Sequence, residues 1–325
     1  MKLTVEEIVR RLPEQIQEGV KLAQGLDRLP SPDSIVIAGM GGSGIAGEIF
    51  LSIYQRRIKV PIITHHSYDL PDYISTNPLF ILISYSGNTE EVLSTLKMVK
   101  VRKFSSVAIT SGGLLSKAGI PTILIPGGYP PRGAFGYLFS PIPVVVHRVG
   151  LIPDPAQELN LAAKTLKGWH PVMRRRAKAI AGKIYNRLTF IYAASPSLYP
   201  VAYRWGCQLN ENAKAIGHIH YLPELDHNEV VGLEGLGQVA KGSVLILLKD
   251  EVDERSRKRI RVTRTIIRRD FERVIEVKTA GDSRLSRYLK LLWLGDMLSV
   301  HLARIKGVDP FIIRRIDRLK KELAR

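Results

Sequence analysis

The chain has 325 residues, 45% of them apolar, and a formal charge of +18 at pH 7; this length suits about two domains, and the apolar share excludes a disordered chain. A single cysteine, Cys207, excludes an internal disulfide framework and a cysteine-rich metal site. The N-terminal MKLTVEEIVRRLPEQ carries early acids and no apolar run, unlike a secretory signal. No segment reaches the roughly 20 apolar residues of a membrane span, so a cytoplasmic protein with no membrane partner is expected.

Apolar positions between residues 4 and 28 recur at helical spacing despite Pro13. A short apolar run, Ser34–Ala38, is followed at once by the glycine-rich stretch 39–44 and a helical pattern from Ile45 to Tyr54, which is the opening of a parallel αβ unit. Further strands are expected at Val60–Thr64, Leu79–Ile83, Ser106–Thr110 and Pro121–Ile125, with a helix reaching Val99 after the third. Fully apolar strands alternating with helices imply a sheet covered on both faces. Residues 126–158 are rich in Gly and Pro, with a short helical stretch near Ala134–Val149. Pro153 and Pro155 mark a domain boundary near 150–155, dividing the chain into residues 1–152 and 153–325. The second half repeats the plan as a coarse internal copy. Strands are expected at Leu188–Ala193, Ser243–Leu248 and Val274–Lys278, with helices over Tyr199–Ile216, the Arg-rich stretch 255–273, Arg284–Ile305 and Pro310–Ala324. Gly307 suits a helix C-cap, and Asp309 and Pro310 suit the N-cap and first position of the last helix.

The basic residues concentrate at Arg174–Lys178 and in the segment from Arg255 to Arg273. Acids interleave the second stretch, as on a solvated helix with ion pairs. Abundant Arg with sparse Asn, Gln and Cys leans toward a thermophile. A nucleic-acid footprint is the less favoured reading, and the positive field would also steer an anionic substrate.

The stretch GMGGSG (39–44) satisfies G-x-G-x-x-G, but the next strand ends in Thr64-His-His-Ser67 and has no acid for a ribose. It suits a backbone loop approaching a phosphate or sugar, or else a packing turn. SYSGNTEE (84–91) puts three hydroxyls around a glycine at a helix mouth. N–H groups, helix dipole and hydroxyls there form a phosphate cradle, while a lysine of the Walker type is absent. An N-cap by Asn88 or Thr89, with Glu90 and Glu91 in the first turn, is compatible with the same residues.

These two motifs, each following a buried strand, resemble the sugar isomerase (SIS) domain. With PPRGAFGY (130–137), LNENAKA (209–215), LDHNEVVG (225–232) and IKGVDP (305–310), the chain resembles the bifunctional phosphoglucose/phosphomannose isomerases of archaea and bacteria, within the phosphoglucose isomerase superfamily. The resemblance implies two SIS domains, each a parallel sheet between helices. It also implies a homodimer with active sites at domain and subunit interfaces, and cofactor-free isomerisation of glucose 6-phosphate and mannose 6-phosphate with fructose 6-phosphate, a reaction of glycolysis and gluconeogenesis. By resemblance, Glu211 is the base that moves a proton between carbons 1 and 2. His227, given by the neighbouring subunit, and Lys306 open the sugar ring, and Arg132 steadies the enediolate. Gly41, Gly42, Ser43, Ser84, Ser86 and Thr89 hold the substrate. Ser299, seven residues before Lys306, matches a small hydroxyl position that would leave room for the enediol to rotate toward either epimer. His218 and His220 form an H-x-H pair without an evident third metal ligand. Two rivals stay open: another sugar-phosphate isomerase of the same fold, and a sugar-phosphate-sensing regulator that binds nucleic acid.

Overall fold

A computed structural model describes residues 3–278, 281 and 283–323 of the chain. The helices are α1 (Val5–Arg10), α2 (Leu12–Ala23), α3 (Gly41–Tyr54), α4 (Glu90–Val101), α5 (Phe135–Phe139), α6 (Pro141–Arg148), α7 (Ala156–Ile184), α8 (Tyr199–Ala213), α9 (Glu229–Glu234), α10 (Gly237–Lys241), α11 (Glu254–Ile267), α12 (Arg284–Ile305) and α13 (Arg314–Leu323). The strands are β1 (Ser34–Gly39), β2 (Ile62–His65), β3 (Pro78–Ile83), β4 (Ser105–Thr110), β5 (Thr122–Leu124), β6 (Leu188–Ala193), β7 (Gly217–Tyr221), β8 (Ser243–Lys249) and β9 (Arg273–Lys278). Two compact units result: an N-terminal unit, Arg10–Gly168, and a C-terminal unit made of Met1–Val9 with Trp169–Arg325. The division falls inside α7, beyond the Pro153–Pro155 segment at which the sequence suggests one.

In the N-terminal unit the strand order is β2-β1-β3-β4-β5, and every pairing is parallel. β1 and β3 are buried along their whole length, which accounts for their unbroken apolar runs. From β1 the chain goes to β2 on one side, then returns to β3 on the other. This reversal opens a crevice beyond the carboxyl ends of β1 and β3, the place where open α/β sheets bind ligands. Val36, Phe80, Leu82, Val92, Leu96 and Val99 build one face of the core.

The C-terminal unit has a four-stranded parallel sheet, β7-β6-β8-β9. Its core on one face gathers Phe190, Tyr192, Leu245, Leu247, Ile260 and Phe271. α8 and α12 pack very closely: a Cβ on Gly295 would lie 2.3 Å from the Trp205 ring, whose Nε1–H donates to Leu291 O at 2.9 Å. Only glycine permits that approach.

Several elements differ from expectation for local physical reasons. The apolar pattern of residues 4–28 breaks at Arg11 into α1 and α2, with Pro13 in the first turn of the second helix. The glycine stretch is itself the first turn of α3, which starts at Gly41. β7 is a sheet-edge strand, and its sequence GHIHY carries too few apolar residues to stand out. Gly307, at φ +65, closes α12 with the Val308 N–H bonded to Ala303 O at 3.0 Å, a Schellman cap. The last helix starts at Arg314 and not at Pro310, because the Asp309 carboxylate accepts only from the Phe311 N–H and forms a local turn. The expected end at Ala324 lies outside the described residues. The Arg-rich helix α11 finds its ion partners on other elements: Arg259 pairs with Asp226 at 3.1 Å, and Arg264 pairs with Glu276 of β9.

Candidate active site

The crevice of the N-terminal unit gathers every substrate-binding residue expected there. Gly41, at φ +50, turns the chain from β1 into α3. Gly42 follows with the backbone of Pro131 and Arg132 pressed against it; a Cβ there would meet Pro131 O at 3.1 Å and Arg132 N at 3.2 Å. Arg132, in a short 3-10 turn, is thereby held beside the glycine loop, with 5% of its surface exposed. Gln15 of α2 fixes the following backbone, donating to Gly133 O at 2.8 Å and accepting from the Gly136 N–H at 3.1 Å.

Ser43 is buried and accepts a hydrogen bond from the Tyr85 N–H at 3.2 Å, tying the β1 loop to the β3 loop. Ser84 Oγ lies 2.8 Å from Thr89 Oγ1 and also accepts from the Gly87 N–H. Ser86 is exposed, and Thr89 is half-buried. Thr89 occupies the N-cap position of α4 without capping it through its side chain. The first-turn N–H groups of α4 therefore take no bond from that side chain. Asn88 turns instead to the Leu114 N–H at 3.0 Å. Gly87, at φ +70, admits no side chain: a Cβ would lie 1.8 Å from Gly112 O.

Sequence reasoning missed three supports of this cradle. Tyr85 donates its hydroxyl to Pro126 O and accepts from the Tyr129 N–H, locking a third loop to the first two. Gly112 and Gly113 form the floor against which the Gly87 turn packs. His66 follows β2 and reaches Gly39 O through Nδ1 at 2.6 Å and Glu48 Oε1 through Nε2 at 2.9 Å. Both partners are acceptors, an arrangement that favours the doubly protonated ring. Its hydrogen bond to Glu48 raises the His66 pKa above the ordinary 6.5. Burial would raise the Glu48 pKa, but hydrogen bonds from His66 and Thr64 hold it below the ordinary 4.5. The His66 ring sits under the glycine loop, with its Cε1 3.0 Å from where a Cβ on Gly44 would stand.

In the C-terminal unit the residues fall into two places. Glu211 is half-buried on the last turn of α8. Lys214, just beyond, takes a left-handed conformation (φ +50) and donates its ammonium to Glu211 O at 2.8 Å and Asp309 O at 2.7 Å. Lys306, at the C-cap of α12, donates to Lys214 O at 2.9 Å. These crossed contacts bring Glu211 and Lys306 to one corner.

A buried polar chain underlies that corner. Arg204 grips Asp296 with two bonds, at 3.0 and 2.8 Å, and Gln208 donates to the same carboxylate at 2.7 Å. Asn212 donates to Ser299 Oγ at 2.9 Å, and Ser299 donates to Asp296 O at 2.7 Å. Arg204, Gln208 and Asn212 recur every four residues and so form one stripe of α8. Burial raises the Asp296 pKa, opposed by Arg204 and Gln208. Ser299 is fully buried, with both hydrogen-bonding roles used within the chain.

His227 stands apart. It ends an exposed 3-10 turn after β7, held by Asp226, which accepts from Arg259 at 3.1 Å and Thr263 at 2.8 Å of α11. β6 and β7 are parallel neighbours, so α8 must carry the chain back to the start of β7. Glu211 therefore lies at the opening edge of the sheet and His227 beyond its carboxyl edge. His218 and His220 both face Glu229, at 2.9 and 3.8 Å. Among the described residues no group of three or more His, Cys, Asp or Glu is arranged to hold a metal ion, and no helix is long and apolar enough to cross a membrane.

Two parallel sheets covered by helices, with a hydroxyl-lined cradle at the switch point of the first, define a protein of the SIS class. Residues 29–117 match the SIS domain model, and residues 173–323 match the bacterial phospho-glucose isomerase C-terminal SIS domain. The fold is shared with the tagatose-6-phosphate ketose/aldose isomerase of Escherichia coli (TM-score 0.72, 14% identity, covering 95% of this chain and 96% of that one). Similar in sequence are the bifunctional phosphoglucose/phosphomannose isomerases of Thermoplasma volcanium, 40% identical over 90% of this chain and 92% of the relative, and of Caldicellulosiruptor bescii, 34% identical over 98% of each. The chain belongs to this family of isomerases.

The His66–Glu48 pair makes a testable contribution to stability. A raised His pKa stabilises fully below about 6.5 and loses that effect as pH rises through the folded value. A lowered Glu pKa stabilises above about 4.5 and loses it as pH falls through the folded value. Thermal unfolding of His66→Gln against the natural chain should show the widest Tm gap between about pH 5 and 6.5, narrowing as pH rises through the raised His66 pKa. A gap independent of pH would contradict the pairing.

Proposed function

We propose that the chain interconverts glucose 6-phosphate and mannose 6-phosphate with fructose 6-phosphate in the cytoplasm, through a cis-enediol and without a metal ion. The observation that carries this reading is the cradle itself: hydroxyl, glycine and helix-terminal N–H groups converge at the ends of β1 and β3, with the Arg132 backbone packed on Gly42. Ser43, Ser84, Ser86 and Thr89, with the Gly41–Gly42 backbone, hold the phosphate. The His66–Glu48 pair braces the glycine loop beneath them.

Chemistry falls to Glu211. In the open aldose the carbonyl at C1 acidifies the hydrogen on C2. The Glu211 carboxylate takes that proton, the bonding pair forms the C1–C2 double bond, and the carbonyl oxygen gains a proton. Return of the proton from Glu211 to C1, with the O2 hydroxyl releasing its proton as the C2 carbonyl forms and so replacing the one O1 took up, yields the ketose; return to C2, with O1 giving its proton back, yields the aldose. Atoms and electrons balance with no further reactant. The Arg132 guanidinium, charged at every working pH, holds the negative oxygen while it exists. Lys306 and His227 move the protons that open the ring. Ser299 is buried behind Asn212, next to Glu211, so it does not line the substrate space as the sequence suggests; it bears on specificity by supporting the turn of α8 that carries Glu211.

The separation of His227 from Glu211 supports a homodimer in which each chain lends His227 to its partner. Mixing inactive Glu211→Gln and His227→Asn chains should then restore activity toward about a quarter of the natural level, through hybrid dimers with one intact site. Mixtures as inactive as their parents would contradict the exchange.

The direct test follows glucose 6-phosphate and mannose 6-phosphate separately as chelator-treated protein acts on fructose 6-phosphate. Both products should form, and Glu211→Gln should lower kcat by about 10²–10⁴ with little change in KM. Glucose 6-phosphate alone would overturn the dual specificity; near-normal turnover of the variant would overturn the role of Glu211.

A further inference from the structure

His301, two residues beyond Ser299, points to the opposite side of α12 from the buried polar chain. There α12 lies against α7: Lys290 Nζ sits 4.3 Å over the Trp169 ring, and the His170 and Trp293 rings are 5.5 Å apart. Further along, the two helices border a cavity of about 450 Å³, lined by Arg174, Arg175 and Lys178 of α7 and by His301, Arg304 and Ile305 of α12. The spacings i, i+1, i+4 and i, i+3, i+4 put each trio on one helix face. Four cations thus converge on one concavity.

Arg174 is partly compensated by Glu6 of α1, at 3.3 Å. Arg175, Lys178 and Arg304 pair with no carboxylate among the described residues, whereas Arg259, Arg264 and Arg287 each meet an acid on another element. Like charges held together raise the energy of the empty cavity, and a bound anion relieves it. His301 forms the floor, 8% exposed. Burial and the nearby Arg174, Arg304 and Lys178 lower its pKa against the opposing pull of Glu6, so its ring is neutral and offers one donor and one acceptor.

We infer that this cavity binds a small molecule carrying two or more phosphate groups, at a site separate from the residues assigned to isomerisation. The size falls in the range of small-ligand pockets, about 300–1,000 Å³. Guanidinium forks match phosphate oxygens two at a time, so three arginines and a lysine can satisfy two phosphates. A nucleic-acid backbone would instead follow an extended stripe of cations, and here the four line one concavity.

Equilibrium dialysis of the full chain against labelled inorganic pyrophosphate tests the site. Pyrophosphate also meets the hydroxyl cradle, so the cavity's share is the part that Arg175→Gln/Arg304→Gln removes. That double variant should weaken this share at least tenfold, leave turnover of fructose 6-phosphate unchanged and keep its Tm within a few degrees. Lys178→Gln alone should weaken it severalfold, and added salt should loosen it. Unchanged pyrophosphate binding in both variants would overturn the assignment. So would a short DNA duplex that displaces pyrophosphate from the natural chain and loses its own binding in the double variant. Neither readout depends on isomerase activity, so failure here and failure of the proposed reaction are distinguishable.

Discussion

Gly87 stands where a side chain would lie 1.8 Å from the carbonyl oxygen of Gly112, and the shape of the proposed phosphate cradle depends on that contact. Because the two turns touch backbone to backbone, the Ser84–Thr89 loop is drawn over the end of β4. Its hydroxyls then face the crevice, and the Tyr85 N–H points back to Ser43 Oγ. The same principle recurs at Gly42, where the Pro131–Arg132 backbone replaces a side chain. A phosphate has little shape for side chains to read, and close-packed N–H groups recognise it best. Glycine is thus required for approach as much as for turning.

In the C-terminal unit the organising force is polar and buried. The Arg204–Asp296 ion pair and its amide neighbours fix the rotation of α8 against α12, while Trp205 over Gly295 fixes their distance. Breaking such a pair by removing one partner typically costs about 3–5 kcal/mol. Glu211 sits one residue from Asn212, the outer end of this chain, and Lys306 is anchored on Lys214 O. A proton-transfer carboxylate that must serve two adjacent carbons gains from such a rigid base. Ser299 belongs to that base.

Much of this was legible in the sequence. Eight strands announced themselves as apolar runs, because strands of a covered parallel sheet are buried on both faces. β7 did not: its edge position leaves His218 and His220 half in solvent, and the carboxylate they face, Glu229, is contributed by a helix that no periodicity revealed. The cradle residues were visible as motifs, yet the supports Tyr85, Gln15 and His66 carry no local signal. Their roles depend on segments 27 to 121 residues away in the chain, and only folding brings those together. The segment 255–273 reads as a self-compensating charged helix, but α11 spends Arg259 on the loop that carries His227 and Arg264 on β9. Charge sequence shows how many partners exist and leaves their identity to topology.

The central claim is that hydrogen moves between C1 and C2 as a proton on a carboxylate. Running the isomerisation of fructose 6-phosphate in deuterium oxide and reading C2 of the aldose products by proton NMR tests it most directly. A proton held on Glu211 exchanges with solvent, so the account predicts substantial deuterium at C2. Complete retention of protium at C2 would mean direct hydride transfer between the carbons and would contradict the enediol mechanism.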